Sequence, residues 1–160
     1  MKDNCAERTG RQSEITVRRA EIGDAREISR LNVDGLGYEF GEEESRAVLA
    51  RILGDGNSVI LVAELDGEFA GYVHLCAYET TFSPPASNVM GLAVCAKFRR
   101  QGVGSALLRA AEDWARASGH ETVRLCSGME RTEAHEFYAQ CGYARVKEQL
   151  QFRKRLGNQN

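Results

Sequence analysis

The chain has 160 residues, 42% of them apolar and 28% charged, with a formal net charge of −2. That length suits one domain with a core of its own, and the near-neutral balance argues against a nucleic-acid partner held by overall charge. No apolar run approaches the roughly 18 residues of a membrane span, and the polar N-terminus lacks the apolar stretch of a secretory leader, so the reading is a cytoplasmic protein with no membrane partner.

Residues 1–14 read as a flexible tail, 15–156 as a single domain and 157–160 as a second tail. Ile15 to Ala20 alternates and predicts a first strand. Asp24 opens a helix with Ile28, Leu31 and Val33 as its stripe and Gly35 as its stop. Glu42 to Leu53 puts three acids in its first turn and Val48, Leu49, Ile52 and Leu53 on one side, which predicts a second helix. Ser58 to Leu65 and Glu68 to Ala77 predict two strands joined by Asp66-Gly67, the residues a type I′ hairpin turn needs. Pro84 and Pro85 predict a break before a strand at Asn88 to Val94.

A long helix follows Gly104, with Leu107, Ala111, Trp114, Ala115 and Ser118 on one side and Gly119 at its end. Thr122 to Ser127 alternates as a strand. A short helix capped by Thr132 places Ala134, Phe137, Tyr138 and Cys141 on one face and closes at Gly142. Tyr143 to Glu148 and Leu150 to Leu156 predict two final strands. The whole reads as one mixed α/β domain.

Five cysteines (Cys5, Cys76, Cys95, Cys126, Cys141) make an odd count without CxxC spacing, so they read as buried small side chains in a reducing compartment. His74, His120 and His135 are scattered, and no metal is expected.

The informative stretch is Gly91 to His120. An apolar run gives way to Lys97, Arg99 and Arg100, and Gly102-Val103-Gly104 then opens the long helix. A helix N-terminus offers unpaired N–H groups and about half a positive charge, and glycine lets an anion come close. The dinucleotide pattern GxGxxG fails because Leu107 fills its third glycine position. The GxxxxGK[ST] loop fails because no lysine follows Gly104. Arg99-Arg100-Gln101-Gly102-Val103-Gly104 matches every fixed position of R/Q-x-x-G-x-G/A. From these six residues alone, helix punctuation and a solvated basic face account for the pattern as well as an anion site does.

That third pattern is the pyrophosphate loop of GNAT N-acetyltransferases, and the chain resembles this family from Ile15 to about Leu156. "VRRAEIGDAREISRL", "MGLAVCAKFRRQGVGSALL" and "RTEAHEFYAQCGY" resemble its opening, central and C-terminal segments in order. The resemblance implies a mostly antiparallel mixed sheet of about six or seven strands with about four helices. It implies acetyl-CoA as cosubstrate, with pantetheine on the backbone of Leu92, Ala93 and Val94. The pyrophosphate would lie on Arg100, Gln101, Gly102, Val103, Gly104 and Ser105, with Arg99 beside it.

Tyr138 matches the family tyrosine that faces the thioester sulfur. By spacing alone it reads as a core aromatic; by resemblance it is the catalytic residue that serves the departing thiolate, and Leu92 N–H is the oxyanion donor. Arg131 stands where the family often has asparagine, so a phosphate contact is the expectation there, and His135 reads equally as a cofactor contact or a helix cap. No general base is assigned among Glu39, His74 and Glu79. Tyr38, Glu39, Phe40, Glu42, Glu79 and Phe82, in or beside the loops 35–41 and 79–87, would suit a cationic amine, on a small molecule or a peptide. The rival reading is a catalytically degenerate acyl-CoA-binding or regulatory module of the same fold. A homodimer is compatible with the sequence.

Overall fold

A computed structural model describes residues 13–37 and 40–157, Leu36 by its backbone alone. The expected tails therefore fall largely outside the described residues, as do Cys5, Tyr38 and Glu39. Glu14 is described: its N–H donates to Asp66 Oδ1 at 3.0 Å and its carbonyl accepts from Asp66 N–H at 3.0 Å. The described residues form two units, one ending at Cys126 and one beginning at Ser127.

In the first unit five strands lie in the order of the chain: β1 (Ile15–Arg19), β2 (Ser58–Leu65), β3 (Glu68–Thr80), β4 (Ser83–Val94) and β5 (Thr122–Leu125). All neighbours are antiparallel except β4 and β5, which run parallel after the crossover through α3 (Val103–Ala117). Asp66 and Gly67 take φ of 53° and 84°, as the β2–β3 hairpin turn requires.

Two apolar layers sandwich the sheet. Val59, Leu61, Ala63, Val73, Leu75 and Val89 pack under α3, which contributes Val103, Leu107 and Ala111. Ile60, Val62, Tyr72 and Ala93 pack under α1 (Ala25–Leu31) and α2 (Glu42–Leu53), which contribute Ile28, Leu31 and Leu49. β2 is therefore buried on both faces, which is why it reads as a continuous apolar run.

Three local expectations change. The first helix does not stop at Gly35. It widens into a π-helical turn over Asn32–Leu36 and ends at Gly37, whose φ of 72° only glycine adopts easily. Tyr72 on β3 donates its hydroxyl hydrogen to Asn32 Oδ1, a contact across the chain that no local signal announces. The prolines do not delay β4, which begins at Ser83. Tyr78 faces Ala86 and Thr80 faces Ser83, so Pro84 and Pro85 fall in an irregular step of the ladder where no N–H is required. The four described cysteines form no disulfide, and none is buried: Cys126 is exposed and the others are half-buried, Cys95, Cys126 and Cys141 each lying just past the end of an element.

In the second unit α4 (Thr132–Gln140) is preceded by Arg131 in the cap position, so Thr132 is its first residue rather than its cap. Gly142 follows it with φ of 89°. The two final strands are not formed, which leaves five strands among the described residues in place of the six or seven expected. Val146, Leu150, Phe152 and Leu156 are 83 to 88% exposed. An alternating pattern holds a strand only when one face is buried, since otherwise nothing offsets the lost chain entropy.

Candidate active site

β4 carries a bulge at its middle. His74 faces Gly91 across the β3–β4 ladder and Leu75 faces Val89, so Met90 is an extra residue. A lone glycine inside a strand pattern is the one sequence signal that could have located it. The parallel ladder with β5 ends at the pair Val89–Leu125. From Met90 to Val94 no strand occupies the outer edge of β4 among the described residues, so alternate backbone N–H and C=O groups of Leu92, Ala93 and Val94 face an open margin. The inner edge is tight: a Cβ on Gly71 would come within 2.5 Å of the Ala93 carbonyl oxygen.

Past β4, a single 3-10 turn at Ala96–Phe98 leads into the basic segment. Lys97 bonds Glu68 and sits 4.5 Å over the Phe98 ring, so its charge is already engaged. Arg99 is extended, and its Nε lies 3.5 Å from the Val94 carbonyl oxygen. Gln101 Nε2 donates to the Lys97 carbonyl at 2.9 Å and closes the turn. Arg100 and Gly102 are both left-handed, with φ of 61° and 87°. Such a backbone turns successive N–H groups toward one concavity, a nest for an anion.

Gly102 is the N-cap of α3, no side chain caps this end, and no acid lies in the first turn. The helix's own bonding begins with Ala106 N–H on the Gly102 carbonyl at 3.0 Å. A nest, a positive helix end and two exposed arginines on one connection suit a diphosphate. Below it Val103, Leu107, Leu108, Ala111 and Ala115 are buried, which anchors the helix rigidly.

In the second unit Tyr138 is half-buried between Phe137 and Tyr143, with ring centroids 5.3 and 6.1 Å away. Burial pushes its phenol above the ordinary value. The nearby Arg131 charge pulls the other way, and Cys141 adds to the rise. His135 Nε2 donates to the Gly128 carbonyl at 2.9 Å, which braces the loop before α4. Arg131 is exposed at the head of that helix.

The remaining candidates separate by face. Glu79 is exposed, and the alternation along β3 places it on the α3 side of the sheet, with Val73 and Leu75. Phe82, 84% exposed, follows Thr80 in the hairpin connection, and Phe40 and Glu42 are exposed before and at the start of α2. His74 shares the α1–α2 side with Tyr72, and burial holds its pKa below the ordinary value while Asp55 opposes this. Among the described residues no three His, Cys, Asp or Glu side chains group as metal ligands would. No helix of the described residues is long and apolar enough to cross a membrane.

The family model for the acetyltransferase (GNAT) family matches residues 25–143. An aminoglycoside N(6′)-acetyltransferase type 1 of Stenotrophomonas maltophilia is 28% identical, over 88% of this chain and 94% of that one. An aminoalkylphosphonate N-acetyltransferase of Salmonella typhimurium is 30% identical, over 79% of this chain and 83% of that one. The crystal structure of aminoglycoside N-acetyltransferase AAC(6′)-Iy in complex with CoA superposes with a TM-score of 0.82 at 19% identity, covering 92% of this chain and 99% of that one. With a family model spanning most of the folded chain, the sheet, the crossover helix and its loop have a common explanation: this chain belongs to the GNAT family and is an acetyl-CoA-dependent N-acetyltransferase.

Proposed function

We propose that the protein transfers the acetyl group of acetyl-CoA directly to a primary amine within a ternary complex, the acceptor being a small polar amine or a peptide amine. The observation that carries the reading is the Arg100–Gly102 nest at the uncapped head of α3, on the same connection as the open margin of β4. The residues present fit the cosubstrate. The nest from Arg100 to Ser105, with Arg99, receives the pyrophosphate, and Leu92, Ala93 and Val94 offer backbone partners to the two pantetheine amides. Leu92 N–H is the proposed donor to the oxyanion that forms on amine attack. Arg131 departs from the asparagine the family often has there, and its charge is the proposed contact to a phosphate; His135 is the proposed cosubstrate contact through the ring nitrogen not bonded to Gly128.

Tyr138 is the proposed donor to the departing sulfur. Its raised pKa keeps the phenol protonated at neutral pH, so it enters as a donor. A phenol above about 10 gives up its proton uphill to a thiolate near 8.5. Its part is therefore a strong hydrogen bond to the sulfur, with the proton following from solvent. The two named relatives act, by their descriptions, on an aminoglycoside and on aminoalkylphosphonates, both small polar amines. That supports a small polar acceptor over a protein one.

The test is CoA release from acetyl-CoA with an aminoglycoside bearing a 6′-amine, an aminoalkylphosphonate and a peptide with a free amino terminus, each product examined by mass spectrometry. The expected result is CoA release with a small amine and a product heavier by one acetyl group. Acetyl-CoA binding without release in any arm would favour the degenerate module.

A further inference from the structure

We infer that His74 is the general base of the reaction proposed above, its Nε2 taking the proton that the acceptor amine sheds as the new C–N bond forms. The inference rests on that reading of the site. His74 stands directly opposite Gly91, at the step where Met90 bulges from β4. Its cross-strand partner Gly91 has no side chain to lay against the ring. The next residue along β4 is Leu92, the proposed oxyanion donor. Nε2 is buried and has no hydrogen-bond partner among the described residues. Native proteins pair nearly all such atoms, and an exception beside a reacting centre is a group whose partner arrives with the substrate.

The cover above His74 explains how it is both dry and reachable. Two residues back on the same face, Tyr72 is 6% exposed and tied to Asn32, so the π-helical turn roofs the sheet to that point. Two and four residues on, Cys76 is half-buried and Tyr78 is exposed. His74 thus marks the boundary between roofed and open sheet. The other histidines have ring nitrogens in use, His120 on Ser87 and His135 on Gly128. Glu79 lies on the opposite face.

Among the described residues, the neighbours of His74 that bear on its charge are these. Asp55, beyond α2, is the charge that acts on it, and that carboxylate accepts bonds from Ser58 Oγ and Asn57 N–H. Cys76 is the titratable neighbour on β3, with its thiol pushed up by burial first and by Asp55. Ile60 on β2, Gly91 on β4, and Ile28, Leu31 and Leu49 on the helices above do not titrate. Burial outweighs Asp55 and holds His74 neutral at pH 7, with a lone pair to offer.

The step balances. The neutral amine nitrogen bonds to the acetyl carbonyl carbon, and the C–S bond breaks with its electron pair on the CoA sulfur. The surplus proton on nitrogen passes to His74 and from the imidazolium to solvent, and the thiolate is protonated in turn. Nitrogen in the tetrahedral adduct is a strong acid, so a base of lowered pKa suffices.

The experiment follows the histidine ring protons of the full chain by NMR across pH, with and without acetyl-CoA, using His74→Gln to assign the signal. It adds the pH profile of kcat/KM for any amine that turns over. A His74 signal that stays neutral through pH 7 and moves on addition of acetyl-CoA supports the assignment. So does a loss of about a hundredfold in kcat/KM for His74→Gln with unchanged acetyl-CoA affinity, loss of the acid limb and partial rescue by imidazole. A signal indifferent to acetyl-CoA, or a variant within about threefold of wild type with the same pH profile, overturns it. If His74→Gln does not fold, His74→Asn and the wild-type signal decide. If no amine turns over, the preceding proposal fails on its own, and the response of the wild-type signal to acetyl-CoA still decides whether His74 lies at the reacting centre.

Discussion

Arg100 and Gly102 both hold left-handed backbone, at φ of 61° and 87°, with Gln101 between them. Glycine accepts that geometry freely; arginine does so at a cost of about 1 to 2 kcal/mol. The two residues should therefore respond in opposite ways. Gly102→Ala is expected to lose about 1 to 2 kcal/mol of stability and to weaken acetyl-CoA binding by about tenfold or more. Arg100→Gly should keep or raise stability while still weakening binding, since it relieves the backbone and removes a cation. Denaturant unfolding beside calorimetric titration separates the two effects. Equal binding loss and equal destabilisation in both variants would remove the nest from the account.

Tyr138→Phe deletes one hydroxyl and leaves the aromatic contacts with Phe137 and Tyr143 available. Steady-state kinetics should show kcat reduced by about ten- to a hundredfold, with acetyl-CoA affinity held within about twofold. A fall in affinity with kcat intact would return Tyr138 to a packing role.

Asp24 receives Arg18 in bidentate fashion, at 2.8 and 2.9 Å, and accepts Glu21 N–H at 2.7 Å. Arg18's hydrogen bonds are the largest cause holding the Asp24 carboxyl below its ordinary value, against burial. The folded pKa lies below the unfolded value of about 3.9, so the contribution is present above that pH and is lost as pH falls through the folded value. Asp24→Asn should cost about 1 to 3 kcal/mol near neutrality, the half-exposed Arg18 favouring the lower end. The variant and wild type should then converge below about pH 3, as followed by thermal unfolding. A gap independent of pH would assign the loss to shape rather than charge.

Ser87 is fully buried on β4, and its Oγ lies 2.7 Å from His120 Nδ1 in the turn between α3 and β5. His120 also meets Trp114 edge to face, with ring centroids 5.9 Å apart. Ser87→Ala should destabilise by about 1 to 3 kcal/mol, because one partner of a buried bond is left unpaired. Acetyl-CoA affinity should not change. Unfolding midpoints and a titration check both halves, and an affinity change would mean that this latch also shapes the β4 margin.

The residues differ in how plainly they announce their roles. Asp66-Gly67 and the stripe on α3 rest on local rules, and both appear where those rules put them. The phosphate-loop pattern was legible, but the left-handed arginine inside it was not, since arginine carries no local preference for that backbone. The π-helical turn depends on a bond between Asn32 and Tyr72, 40 residues apart, which no window along the chain contains. His74 was visible only as one titratable residue among three. What distinguishes it is a missing partner, and that is a property of the folded sheet. The last two expected strands failed for a related reason, because alternation near Phe152 predicts a buried face that the residues do not have.

The connection from Arg99 to Ser105 is the proposed seat of the CoA pyrophosphate. Calorimetric titration with acetyl-CoA, against ADP and NAD as controls, tests it most directly. Saturable one-to-one binding of acetyl-CoA is expected, clearly tighter than that of either control and weakened by salt. No binding, or equal binding of all three, would contradict it.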